Sequence, residues 1–193
     1  MAGARSDKLH QKAKRKFARK PPTKSPRDRI LIVCEGEKTE PHYFEELCRD
    51  LNLSINTEVK IFGKECGSAP SSVYDYTIQE LEKDLKDTRY DNYDIAYCVF
   101  DKDNHDDNGG KYRQTLDKIK KNKKFKIIAA NSVPCFEFWV LLHFESTTSQ
   151  FKNSTEVTKR IKTHWKEYSK EKTKDLYAKL KDKTDMAIKN GHN

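Results

Sequence analysis

Arg29-Ile30-Leu31-Ile32-Val33-Cys34-Glu35-Gly36-Glu37-Lys38-Thr39-Glu40-Pro41 carries an apolar run straight into a carboxylate and a glycine. Residues 30–34 are short, β-branched and uninterrupted, the pattern of a strand buried on both faces of a parallel sheet. Glu35 then stands at the carboxyl end of that strand. Gly36 permits a sharp exit. Thr39 is placed to cap the next helix, and Pro41 suits its first turn. Ligands of open α/β sheets bind outside the carboxyl ends of the strands, so Glu35 sits where chemistry is usually done.

A second stretch answers the first. Residues 93–100 (YDIAYCVF) form another apolar run, and it ends in Asp101-Lys102-Asp103. Two neighbouring strands delivering Glu35, Asp101 and Asp103 to one sheet edge make a cluster of like charges. A hard divalent cation is its natural occupant, and magnesium, held by a few carboxylates and several waters, fits best, with manganese as the substitute. Each acid taken alone is an ordinary solvated loop residue. The shared strand-end context makes the metal site the better reading.

The stretches CEGEKTEPHYF (34–44), FDKDNH (100–105) and NSVPCFEFWVLLHFE (131–145) resemble the RloB-like family, which includes the AbiLii abortive-infection protein. More broadly, a Glu after the first strand and Asp-x-Asp after a later one is similar to the Toprim domain of primases, topoisomerases and OLD-family nucleases. The resemblance spans roughly residues 30–145. The loop after Asp103 departs from general Toprim, since Asn104 to Asn108 come before Gly109-Gly110. The resemblance implies a metal-dependent nuclease in anti-phage defence, acting as the effector of an ABC-type ATPase partner. In that reading Asp101 and Asp103 are metal ligands, and Glu35 is a ligand or the general base and acid. Glu137 is an additional ligand, Lys38 steadies the phosphate, and His105 donates a hydrogen bond near it. Two metals roughly 3.5–4 Å apart would serve the attacking and leaving oxygens of phosphodiester cleavage. The rival reading is a non-catalytic subunit that binds nucleic acid or a partner.

The rest of the pattern supports an α/β fold. Helices are predicted over 39–50, 71–87, 111–121 and 135–144, and strands over 55–62 and 125–130. Four strands separated by helices give a Toprim-like, Rossmann-like, mostly parallel sheet. The helix over 135–144 is apolar almost all round and should be buried. Glu137 within it is costly unless paired or metal-bound, or else serves the helix start. His143 reads as a core residue. Two further helices, over 154–168 and 173–190, make a C-terminal extension. The expected organisation is a basic arm over 1–29, the α/β domain over 30–145 and the extension over 146–193.

Charge follows that division. The chain carries a net +9, and the three segments carry +9, −6 and +6 in order. An acidic middle flanked by basic segments suits a metal-binding centre with flanks that hold a polyanion. A solvated tail and a charged helical surface would look the same for the C-terminal part. Hydrophobic content of 35% is low, so part of the chain is expected outside any core. The 5 Cys are scattered, which reads as free thiols. Cys34 and Cys98 fall in predicted strands, and Glu35 argues against a nucleophilic Cys34. No run approaches the length of a membrane span, and the reading is a cytoplasmic protein without a membrane partner. Lys38 does not complete a phosphate loop, because the upstream glycine and the Gly-Lys step are missing. Without a zinc finger or an RNA-recognition motif, nucleic-acid contacts are expected mainly to the backbone.

Overall fold

A computed structural model describes residues 28–53, 57–89, 91–102, 110–170 and 174–192. Its elements are β1 (Asp28–Cys34), α1 (Thr39–Asp50), β2 (Thr57–Phe62), α2 (Pro70–Lys86), β3 (Ile95–Asp101), α3 (Lys111–Lys121), β4 (Ile127–Ser132), α4 (Phe136–Leu142), α5 (Ser154–His164), α6 (Leu176–Leu180) and α7 (Thr184–Gly191). A 3-10 turn, Lys64–Cys66, precedes α2, and another, Lys181–Lys183, joins α6 to α7.

The four strands form one parallel sheet in the order β2-β1-β3-β4. The expected α/β sheet flanked by helices, with helices at the C-terminal end, is therefore present. Leu31, Val33, Ala96, Cys98 and Phe100 face α2 and α3, where Val73, Leu81, Tyr112 and Ile119 close the layer. Ile32, Cys34 and Val99 face the other way, towards Phe44 of α1. A central strand covered on both sides must be apolar at every position, which is why β1 shows no alternation.

The chain leaves β1 for β2 through α1 on one face, and leaves β3 for β4 through α3 on the other. The crevice between β1 and β3 is therefore the topological switch point, where ligands of such sheets bind. The expectation that the strands bearing Glu35 and Asp101 are neighbours holds.

A second core lies beside the sheet. Tyr43 of α1 packs with Phe136, Val140 and Leu141 of α4, Val157 and Ile161 of α5, and Leu176, Tyr177 and Leu180 of α6. The C-terminal helices are thus built onto α1 and α4 through a shared apolar interior.

Several boundaries differ from the sequence reading. Thr39 is the first residue of α1 rather than its cap; Lys38 holds the N-cap position without a side-chain bond. β4 begins at Ile127, two residues later than expected. Helix α5 stops at His164 because Trp165 is extended, with φ −135° and ψ 90°. The last predicted helix is two helices. Leu176, Leu180 and Ala187 turn inward while Ile188 is 48% exposed, so Ile188 does not continue the buried stripe. Arg29, at the end of the basic arm in the sequence reading, lies inside β1 with 4% exposure.

Candidate metal centre

The site begins where two strands run out together. Cys34 of β1 pairs with Val99 of β3, so the next residues, Glu35 and Phe100, come level. The Glu35 N–H continues the ladder to the Val99 carbonyl at 2.8 Å. The Asp101 N–H then donates to Glu35 Oε2 at 3.0 Å. That bond fixes the direction of the Glu35 carboxylate from the neighbouring strand. The Lys102 N–H donates to the Ser132 carbonyl at 2.9 Å, which holds the exit of β3 against β4. Glu35 and Asp101 are both half-buried at this corner. Lys38 is exposed at the start of α1, three residues beyond Glu35. Asp103 and His105 lie outside the described residues.

Beneath this pair lies a second tier that the sequence reading only half saw. Glu40 is in the first turn of α1 and is 7% exposed. Its carboxylate folds back over Gly36, where an added Cβ would come within 1.9 Å of Glu40 Oε2. Gly36 is needed for this close approach as well as for the exit from β1. Burial, with the nearby charges of Glu137 and Glu35, lifts the Glu40 carboxyl to about 7. The position of Glu40 was visible five residues after Glu35, but nothing in its spacing distinguishes a buried acid from an ordinary first-turn acid.

Glu137 sits in the first turn of α4 and is 4% exposed. Its cost is met by Lys170, whose Nζ lies 2.8 Å from Glu137 Oε1. Lys170 belongs to the connection between α5 and α6, 33 residues further along the chain. In the sequence it is one lysine among many, and no pattern marks it. Tyr168, two residues before it, is 3% exposed, and its hydroxyl has no hydrogen-bond partner among the described residues. Burial raises its pKa, and the nearby charges of Glu137, Cys135 and Glu40 add to the effect.

The cysteines here are not nucleophiles. Burial, followed by the charge of Glu40, pushes the Cys34 thiol far up. Burial and Glu137 do the same to Cys135, with a further contribution from Asp101. A thiol held neutral in this way is an inert core residue. His143 is fully buried; its Nδ1 lies 2.8 Å from the Trp139 carbonyl, and burial lowers its pKa.

The donors at the corner are hard carboxylate oxygens. Such a set fits magnesium, which is often bound by one or two carboxylates with water completing its shell. Among the described residues no three His, Cys, Asp or Glu side chains converge closely enough to hold a metal by themselves. Beside the corner a groove of about 610 Å³ opens between α1, α4 and the ends of β3 and β4, lined by Phe44, Phe136, Phe138 and Trp139 among others. No charged side chain lines it, so it is not a phosphate pocket. Among the described residues no helix is long and apolar enough to cross a membrane.

Comparison with curated proteins and with solved structures finds no match. The model of the RloB-like protein family matches residues 30–193, a span that takes in the strand-end acids, Glu40, Glu137 and the α5–α6 connection that carries Lys170. The chain belongs to the RloB-like protein family.

Proposed function

We propose that this protein is a Mg²⁺- or Mn²⁺-dependent nuclease with a Toprim-like centre, the effector of an ABC-type ATPase partner in anti-phage defence. The observation that carries the reading is the pairing of Glu35 with Asp101 across the switch point, where the Asp101 N–H aims the Glu35 carboxylate. Glu35 and Asp101 would hold the ion, together with Asp103, and Glu137 stands behind them. The ion, when bound, supplies charge for the developing phosphorane and a more acidic water. Glu35, its carboxylate oriented by the backbone bond, serves as a ligand or takes the proton of an attacking water. Lys38, exposed beside the corner, meets a phosphate of the strand being cut. The basic segment that precedes β1 and the segment 146–193 hold the nucleic-acid backbone without reading bases. The ATPase and the defence role come from family resemblance.

A non-catalytic subunit that binds nucleic acid or a partner is the second reading. It is favoured by the lack of a three-ligand group among the described residues. One experiment separates the two. Plasmid DNA and tRNA are incubated with wild type, Glu35→Gln and Asp101→Asn, with Mg²⁺, Mn²⁺ or EDTA, with and without the candidate ATPase. The nuclease reading expects metal-dependent cleavage that falls at least ~100-fold in both variants, about 2.7 kcal/mol of barrier. Cleavage that survives both substitutions and EDTA removes the mechanism. Binding without cleavage under every condition, with the ATPase present, favours the subunit.

A further inference from the structure

We infer that Lys170 is a tethered cation of the carboxylate pocket, one that supplies positive charge in the metal-free protein and competes with the divalent ion. The inference deepens the metal-dependent reading and rests on it. Glu40 feels the charges of Glu137 and Glu35, and Cys135 those of Glu137 and Asp101, so the buried Glu137 lies near the strand-end pair. A buried carboxylate among apolar groups requires a counter-charge. Lys170 Nζ supplies it to Glu137 at 2.8 Å. The two partners are buried very differently: the Glu137 side chain is 5% exposed and that of Lys170 is 45% exposed. The cation therefore reaches in from the surface and can withdraw, while the carboxylate stays. The field of Lys170 also acts on Glu40 and Cys135, so its influence extends beyond its own partner.

Tyr168 is the second, independent sign that the pocket takes a ligand. Its buried hydroxyl has no hydrogen-bond partner among the described residues, and it lies within reach of the charges of Glu137 and Glu40. A buried hydroxyl normally finds a partner, so this one marks a polar position that a further oxygen, such as the water shell of an ion, would complete. Lys170, on Glu137, adds a positive charge whose field reaches Glu40, the neighbour of Glu35. Two cations near the same carboxylates oppose each other, and opposition across a few ångströms to a Debye length changes affinity on the order of threefold to thirtyfold.

The test is Mn²⁺ binding to the full-length protein, followed by the loss of the free-ion electron paramagnetic resonance signal. The proteins are wild type, K170M, K170R, E35Q and E35Q/K170M. Melting curves run in parallel. K170M is expected to bind Mn²⁺ about tenfold more tightly than wild type. K170R, which keeps the charge, is expected to match wild type, and E35Q is expected to weaken binding in both backgrounds. A lysine that only braced the fold would lower the melting temperature and leave Mn²⁺ affinity unchanged. K170M with unchanged or weaker affinity, alongside a weakened E35Q, overturns the role of Lys170 and leaves the metal reading standing. Absence of Mn²⁺ binding in both wild type and K170M overturns the two together. Should K170M fail to fold, E137Q/K170M is compared with E137Q, since the orphaned carboxylate is then gone; tighter binding in the double variant supports the role, and equal binding overturns it.

Discussion

The two ends of the same sheet handle buried charge in opposite ways. At the amino end, Arg29 of β1 is surrounded by acceptors. Its Nε meets Glu58 at 3.1 Å, its Nη1 meets Asp84 at 2.8 Å, and its guanidinium lies 4.4 Å from the centre of the Tyr93 ring. The Asp91 carbonyl accepts from Nη1 as well, and the Arg29 N–H donates to Asp94 at 2.7 Å. One cation thereby ties β1 to β2, to α2 and to the segment leading into β3. At the carboxyl end the sign and the balance reverse. Glu35 and Asp101 end their strands there, the buried Glu40 and Glu137 lie nearby, and Lys170 Nζ lies 2.8 Å from Glu137. The first arrangement saturates a charge and locks the fold. The second brings two buried acids, Glu40 and Glu137, close to the strand-end pair Glu35 and Asp101.

The amino end should therefore respond to mutation in stability alone. Arg29→Met removes the shared partner of Asp84 and Glu58 and leaves the largely buried Asp84 carboxylate, 10% exposed, without its cation. The expected loss is about 3 to 5 kcal/mol in urea unfolding, the same with or without divalent metal. A loss below about 1 kcal/mol would show that this end is no more tightly tied than an ordinary surface pair.

The carboxyl end should respond to pH. Burial, with Glu137 and Glu35 nearby, raises Glu40 from 4.5 to about 7 in the folded protein. Below about 4.5 both states hold the proton and nothing is lost. As pH rises from about 4.5 to about 7 the unfolded chain releases this proton and the folded chain keeps it. Stability therefore falls across that window and levels above it, by ~3 kcal/mol at most. Unfolding curves in EDTA at several pH values are expected to show this decline in wild type and a flatter line in Glu40→Gln. Parallel lines for the two proteins would mean that Glu40 ionises normally.

The smallest effect expected is at Tyr168. Its hydroxyl is buried without a partner, so Tyr168→Phe should be neutral or stabilising by about 1 kcal/mol in metal-free protein. A destabilisation of that size would reveal a water or other partner on the hydroxyl, and would weaken the contrast between the two ends.

The helix boundaries Thr39–Asp50 and Lys111–Lys121 were legible in the sequence because apolar spacing and flanking breakers agreed there. The helix running to residue 190 was misread as continuous, since Ile188 imitates a buried position that Ala187 actually takes. Within the site, Glu35 and Asp101 could be read because each ends an apolar run, and a strand end is a local signal. Glu137 could be suspected because a carboxylate within an apolar helix contradicts its surroundings. Its partner could not be named. Lys170 lies 33 residues away among similar lysines, and only the packing of α4 against α5 and α6 brings the two within 2.8 Å.

By itself the chain determined the strand-helix alternation, the acids at two strand ends and the basic flanks, because each depends on residues close in sequence. Tertiary structure alone decided that Glu40 folds back over Gly36, and that Arg29 is locked while Lys170 reaches in from the surface. Burial and charge pairing depend on what arrives from distant segments, and sequence spacing carries no record of those distances.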